Sequence, residues 1–186
     1  MRRVAVLFVV MLLLVGCTSE RSGMEQAILL REKILSAESC SFQAVITADY
    51  GESIYTFTMD CVSDRNGDLR FCVIEPDSIE GICGNIAATG GKLTFDDQLL
   101  SFFLLADGEI SPISGPWHVM KALRGGYLRN YAVEDTNIRL TIDDSFEADS
   151  LQTDIWLNEN GFPIHADLIW QGRRIIAVSI ENFQIL

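Results

Sequence analysis

Between Phe42 and Ile180 the sequence divides into eleven short β-rich stretches, with turn signals so closely spaced that only hairpins can join most of them. The stretches are Phe42 to Ala48, Ile54 to Val62, Leu69 to Glu75, Ile82 to Ala88, Lys92 to Phe95 and Leu99 to Leu105, then Leu128 to Val133, Ile138 to Ile142, Thr153 to Leu157, Ile164 to Trp170 and Ile175 to Ile180. Tyr50-Gly51, Asn66-Gly67, Gly90-Gly91, Asp107-Gly108, Asn160-Gly161 and Gln171-Gly172 mark the turns. Hairpins in sequence make an antiparallel meander. Two segments depart from it. Met24 to Glu38 carries helix-favouring residues without Gly or Pro, with Met24, Ala27, Ile28, Arg31 and Leu35 on one face and Leu30 and Ile34 beside it. "SGPWHVMKALRGG", residues 114–126, offers Pro116 as a helix start and Gly125-Gly126 as a stop, which predicts a short helix over 116–124.

Ahead of the first helix, Val4 to Val15 is an unbroken apolar run preceded by Arg2-Arg3. It is too short to span a bilayer, which takes about 20 apolar residues, and has the layout of an export signal. Leu14-Val15-Gly16-Cys17 resembles the lipobox of bacterial lipoproteins, which implies cleavage before Cys17 and a diacylglyceryl group on its thiol. An ordinary secretory signal with an incidental cysteine is the competing reading. With the lipobox, residues 1–16 are the removed signal peptide, residues 17–23 are the lipidated cysteine and a polar tether, and residues 24–186 form a single domain. Six tether residues reach at most roughly 20 Å, so the domain is expected close to the membrane face outside the cytoplasm.

Losing residues 1–16 removes two basic residues and no acidic one, so the formal charge moves from -12 to -14. Nucleic acid is excluded as a partner, because binding it relies on Lys and Arg, and the chain has three lysines in all. An anionic lipid surface would repel the domain that the anchor holds beside it.

A long helix, a many-stranded antiparallel sheet and a short mid-chain helix form an outline similar to the LolA/LolB-like lipoprotein-carrier superfamily. "FCVIEPDSIEGICGNIAATGGKLTFDDQLLSFFL", residues 71–104, resembles that group's strand ending in Pro, crossing strand and Gly-bounded hairpin around Phe95-Asp96. "PISGPWHVMKALRGGYL" and the terminal "IWLNENGFPIHADLIWQGRRIIAVSIENFQIL" resemble tethered Gram-positive lipoproteins of the GerS spore-germination type. The resemblance implies an α+β fold, an incomplete antiparallel β-barrel wrapped over the two helices. It also implies a concave apolar face able to hold acyl chains or a partner's peptide.

Four cysteines remain besides Cys17, in a chain bound for a compartment where disulfides persist. Hairpins pivoting at Tyr50-Gly51, Asn66-Gly67 and Asp77-Ser78 would place Cys40 opposite Cys61, Cys61 opposite Cys72 and Cys72 opposite Cys83. Full pairing is then Cys40–Cys61 with Cys72–Cys83, and a single Cys61–Cys72 bridge competes with it. Free buried thiols are a further alternative. Zinc fits poorly, since no CxxC exists and His118 and His165 lie far away in sequence.

Catalytic motifs are missing: there is no phosphate loop, GxSxG or HExxH, and nothing calls for a cofactor or metal. His118 falls on the short helix, and His165 alternates with Ile164, Ala166 and Leu168, which points it to solvent or a polar edge. "SDRNGD", residues 63–68, lacks the spacing of a calcium loop and reads as a hairpin turn; "DDSFEADS", residues 143–150, reads as a solvated loop. Two function classes follow, neither enzymatic. One is a lipid-binding module whose cavity is lined by Phe57, Met59, Phe71 and Phe95 and covered by a short helix presenting Trp117, Met120 and Leu123. The other is an interaction lipoprotein that docks a protein partner of the cell envelope or spore-germination machinery, with those same side chains as plain core.

Overall fold

The computed structural model describes residues 23–51, 53–95, 98–102, 105–106, 109–147 and 150–186. The apolar leader, Cys17, the tether up to Ser22, Asp96 and the Asp107-Gly108 turn lie outside the described residues. Helix α1 (Gly23–Ser36) leads into β1 (Ser39–Asp49), β2 (Ile54–Asp64), β3 (Leu69–Glu75), β4 (Cys83–Ala87), β5 (Gly90–Phe95) and β6 (Gln98–Phe102). A two-stranded ribbon, β7 (Leu105–Ala106) and β8 (Glu109–Ile110), precedes the 3-10 turn Pro112–Ser114 and helix α2 (Gly115–Gly125). The chain ends with β9 (Tyr127–Glu134), β10 (Asn137–Asp143), β11 (Gln152–Leu157), β12 (Pro163–Trp170) and β13 (Arg173–Ile185).

Eleven strands form one antiparallel sheet in the order β6-β5-β4-β3-β2-β1-β13-β12-β11-β10-β9. Two meanders are therefore sewn together where β1 pairs with β13. The chain leaves the sheet at one edge, β6, and re-enters at the other, β9, so the connection must cross a face; α2 is that crossing. Register slips by a residue in five of the ten ladders, and such bulges bend a strand and raise its twist. The sheet curves without closing, and its concave side holds the helices.

Strict alternation makes that concave side apolar. Cys40, Phe42, Ala44, Ile46 and Ala48 of β1 point inward and are buried, as do Leu69, Phe71 and Val73 of β3. They join Leu30 and Ile34 of α1 and the apolar side chains of α2 in a single core. Strand β13 runs five residues beyond the expected Ile180 because a bulge about Asn182, at φ +54°, absorbs the break in alternation. Past it, Phe183 packs on Phe42 with ring centroids 5.7 Å apart. The expected stretch from Leu99 to Leu105 falls instead into β6 and β7.

Two expectations are corrected. The buried stripe of α1 is Gly23, Leu30 and Ile34 with Ala27 partly buried beside it, whereas Met24, Ile28 and Leu35 of the expected face are exposed. The apolar residues of the helix spread well beyond one stripe, and close approach selects which part is buried: a Cβ on Gly23 would lie 2.6 Å from the Tyr131 ring. The second concerns the cysteines. The β1–β2 connection closes from the Tyr50 N–H to the Ser53 carbonyl, two residues longer than a turn at Tyr50-Gly51, so Cys61 faces Phe42 and Cys40 faces Ser63. One hairpin on, Cys61 faces Phe71 and Asp60 faces Cys72, which turns Cys61 inward and Cys72 outward. Only the third pivot holds: Cys72 and Cys83 are opposed and bonded, with Cα atoms 4.0 Å apart. Cys40 and Cys61 are free and buried.

Candidate functional site

Helix α2 is short, and a helix of this length needs tertiary packing to persist. Pro116, Trp117, Val119, Met120, Ala122 and Leu123 are all buried, so its apolar side lies against α1 and strands β2 and β10 to β13. Polar bonds tie it at both ends. The Trp117 indole N–H donates to the Gly67 carbonyl at 3.1 Å, and Arg124 donates to the carbonyls of Asp64 at 2.6 Å and Arg65 at 3.2 Å. These acceptors are the β2–β3 turn, whose shape is held by the Asp64 carboxylate accepting from the N–H groups of Asn66 and Asp68. "SDRNGD" is thus a hairpin turn with its first carboxylate spent on backbone.

The C-terminal end of α2 is held from α1. Arg31 donates to the carbonyls of Leu123 and Gly126 at 2.8 Å each and Ala122 at 3.2 Å, satisfying acceptors that a helix end leaves unpaired. Burial draws its pKa below the ordinary arginine value. The sequence signal was one charged residue amid apolar ones on a helical face, which alone does not distinguish a cap from a solvated charge.

Phe57, Met59, Phe71, Trp117, Met120 and Leu123 come together as expected, in one cluster and no more than 8% exposed. Phe95 closes β5, and its side chain lies outside the described residues. Lys121 is exposed as expected, 3.8 Å from the Asp144 carboxylate and 5.6 Å from the Trp117 ring centroid.

Beside α2 lies a cavity of about 140 Å³ lined by His118, Lys121, Asp144, Leu151 and Thr153, among others. Both ring nitrogens of His118 are buried there without a hydrogen-bond partner among the described residues. Desolvation, helped by the Lys121 charge, pulls the His118 pKa down to about 4, so the ring is neutral near pH 7. His165 sits on the outer face as expected, 3.0 Å from Asp167 and next to Trp156. Nearby, Arg139 joins Glu134 and Asp154, and the Trp156 indole donates to Glu134. Among the described residues, no three His, Cys, Asp or Glu side chains converge as metal ligands, and no helix is long and apolar enough to cross a membrane.

No protein-family model matches the chain, and no curated protein is similar to it in sequence. Solved structures resemble it in the course of the chain. A putative outer membrane lipoprotein-sorting protein domain from Vibrio parahaemolyticus is 7% identical, with a TM-score of 0.48 over 88% of this chain and 92% of that one. A LolA superfamily protein from Nitrosomonas europaea is 13% identical, with a TM-score of 0.44 over 86% and 93%. The complex of the CwlD amidase from Clostridioides difficile with the GerS lipoprotein contains a chain 11% identical, with a TM-score of 0.43 over 91% and 99%. One of these neighbours, the Nitrosomonas europaea protein, is a LolA superfamily protein. At these identities the likeness is in the course of the chain and assigns no residue.

Proposed function

We propose that this chain is a non-enzymatic, extracytoplasmic lipoprotein domain, tethered by lipid at Cys17, which works by docking a protein partner on its outer surface. One observation carries the choice of surface: α2 fills the concave side with its apolar face buried, and Trp117, Arg124 and Arg31 bind it to its neighbours. An acyl chain lodged among Phe57, Met59, Phe71 and Met120 would have to displace side chains that are already packed together. Large apolar groups stand outside instead, among them Ile28 and Leu35 on α1, Leu99 and Leu100 on the edge strand β6, and Phe146 on the β10–β11 loop. These side chains are accessible to a partner's surface without any rearrangement of the core.

Native mass spectrometry of protein extracted gently from membranes tests this reading. The expected spectrum carries no lipid-sized adduct beyond the anchor. A reproducible adduct that survives desolvation, and is lost in Met59→Trp, would move the function to lipid carriage in the interior.

A further inference from the structure

The β10–β11 loop and the start of β9 form a notch of about 240 Å³ beside α2. On one side stand two aromatic rings, Tyr127 and Phe146, with centroids 3.9 Å apart. Phe146 is 84% exposed and Tyr127 46%, which is unusual for a contacting aromatic pair. The floor includes Asp143, only 7% exposed. One of its carboxylate oxygens pairs with Arg129 at 2.5 Å, and the other, Oδ1, is buried with no hydrogen-bond partner among the described residues. Glu147 lines the rim, is exposed, and makes no ion pair among the described residues.

These groups specify a ligand chemistry. Aromatic faces attract a cation through the ring quadrupole, and a buried carboxylate oxygen lacking a donor attracts an N–H. Arg129 is more than half exposed and pairs with only one of the two oxygens, so the second has no donor of its own among the described residues. A formal charge of -12, or -14 once residues 1–16 are removed, favours the approach of a basic partner over long range. An anionic membrane surface is disfavoured by Asp143 at the end of β10 and by Asp144 and Glu147 in the loop that follows.

We propose that this notch receives a lysine or arginine side chain of the protein partner, with the aliphatic stem of that residue or its apolar neighbour against Tyr127 and Phe146. The inference rests on the docking function proposed above and names the site and the charge of the partner.

The test uses the full chain in detergent and three fluorescent probes, acetyl-Leu-Lys-Phe-Lys-Leu-amide and its counterparts with Gln or Glu in place of Lys. Anisotropy is expected to show binding of the Lys peptide in preference to both counterparts. Phe146→Ser and Glu147→Gln, both at exposed positions, should each weaken it by roughly tenfold, the size of one to two kcal/mol of lost cation contact, with unchanged melting temperature. Equal binding of the three peptides, preference for the Glu peptide, or variants that bind the Lys peptide as well as the parent chain would each overturn the proposal. So would displacement of the Lys peptide from the parent chain by short-chain phosphatidylglycerol but not by short-chain phosphatidylcholine, since the notch would then be a membrane contact. Failure of the peptide arm with no lipid adduct in the mass spectrum removes this site alone. A persistent adduct removes the docking reading itself.

Discussion

Replacing Trp117 with alanine separates a helix that is core from one that is a movable cover. Trp117 is 6% exposed in the main apolar cluster, so truncation deletes an indole from a packed interior. Large-to-small changes of this kind cost about 3–5 kcal/mol. Loss of the indole N–H also leaves the Gly67 carbonyl without its donor, worth about 1 kcal/mol where water replaces it incompletely. The sum is about 4–6 kcal/mol, and at roughly 2–4 °C per kcal/mol for a domain of this size the midpoint should fall by at least about 8 °C. Trp117→Phe keeps most of the apolar volume and loses the hydrogen bond, so it should cost about 1–2 kcal/mol. Urea titrations followed by circular dichroism measure both. A loss below about 1 kcal/mol in Trp117→Ala, with altered binding of a hydrophobic ligand, would refute the packed-core argument and restore α2 as a lid.

Acid should destabilise the domain through His118. Its folded pKa of about 4 lies below the unfolded value of about 6.5, so the unfolded chain binds more protons between those pH values. Its contribution is fully present above pH 6.5 and lost as pH falls toward 4, up to about 3 kcal/mol, and His118→Phe should flatten that part of a stability-against-pH curve. Apart from Cys17, thiol titration in denaturant should find two free thiols per chain, Cys40 and Cys61, both slow to react while folded; peptide mapping should join only Cys72 to Cys83. Burial raises the pKa of both free thiols, reinforced at Cys61 by Asp60 and opposed at Cys40 by Arg124. Opening the bridge with Cys72→Ala and Cys83→Ala together should cost about 2–3 kcal/mol, since it closes a short loop. Cys17→Ala should leave the precursor uncleaved and unlabelled by fatty-acid analogues, and efficient labelling would overturn the proposed anchor.

Strands were legible because their signal is local. A period of two along β1 and β3, ended by residues such as Asn66-Gly67, fixes both the element and its inward face, and Gly67 takes up a φ of +90° in the turn, which few other residues tolerate. The face of α2 was legible for a similar reason, since polar Lys121 and Arg124 flank a narrow apolar stripe. Helix α1 has no such contrast. With Met24, Ile28, Leu29, Leu30, Ile34 and Leu35 spread over it, the decision fell to Gly23, whose missing side chain lets the helix approach Tyr131 of β9 and Ile138 of β10.

The cysteine row shows how little error sheet register tolerates. A two-residue change in a turn keeps every side chain on its face, so Cys40 and Cys61 stay inward together but stand offset. A one-residue change reverses faces, which is what parts Cys61 from Cys72. The bond that forms joins the pair facing away from the core, where a bridge adds a cross-link without displacing packed side chains. The notch at Tyr127 and Phe146 was illegible for a different reason. Its parts come from a strand start, a strand end and a loop whose acidic composition reads as mere solvation, and only the fold brings Asp143 and the exposed aromatic pair to one notch. "DDSFEADS" held one discordant residue for a solvated loop, Phe146, whose meaning appears only when the fold sets its ring against Tyr127.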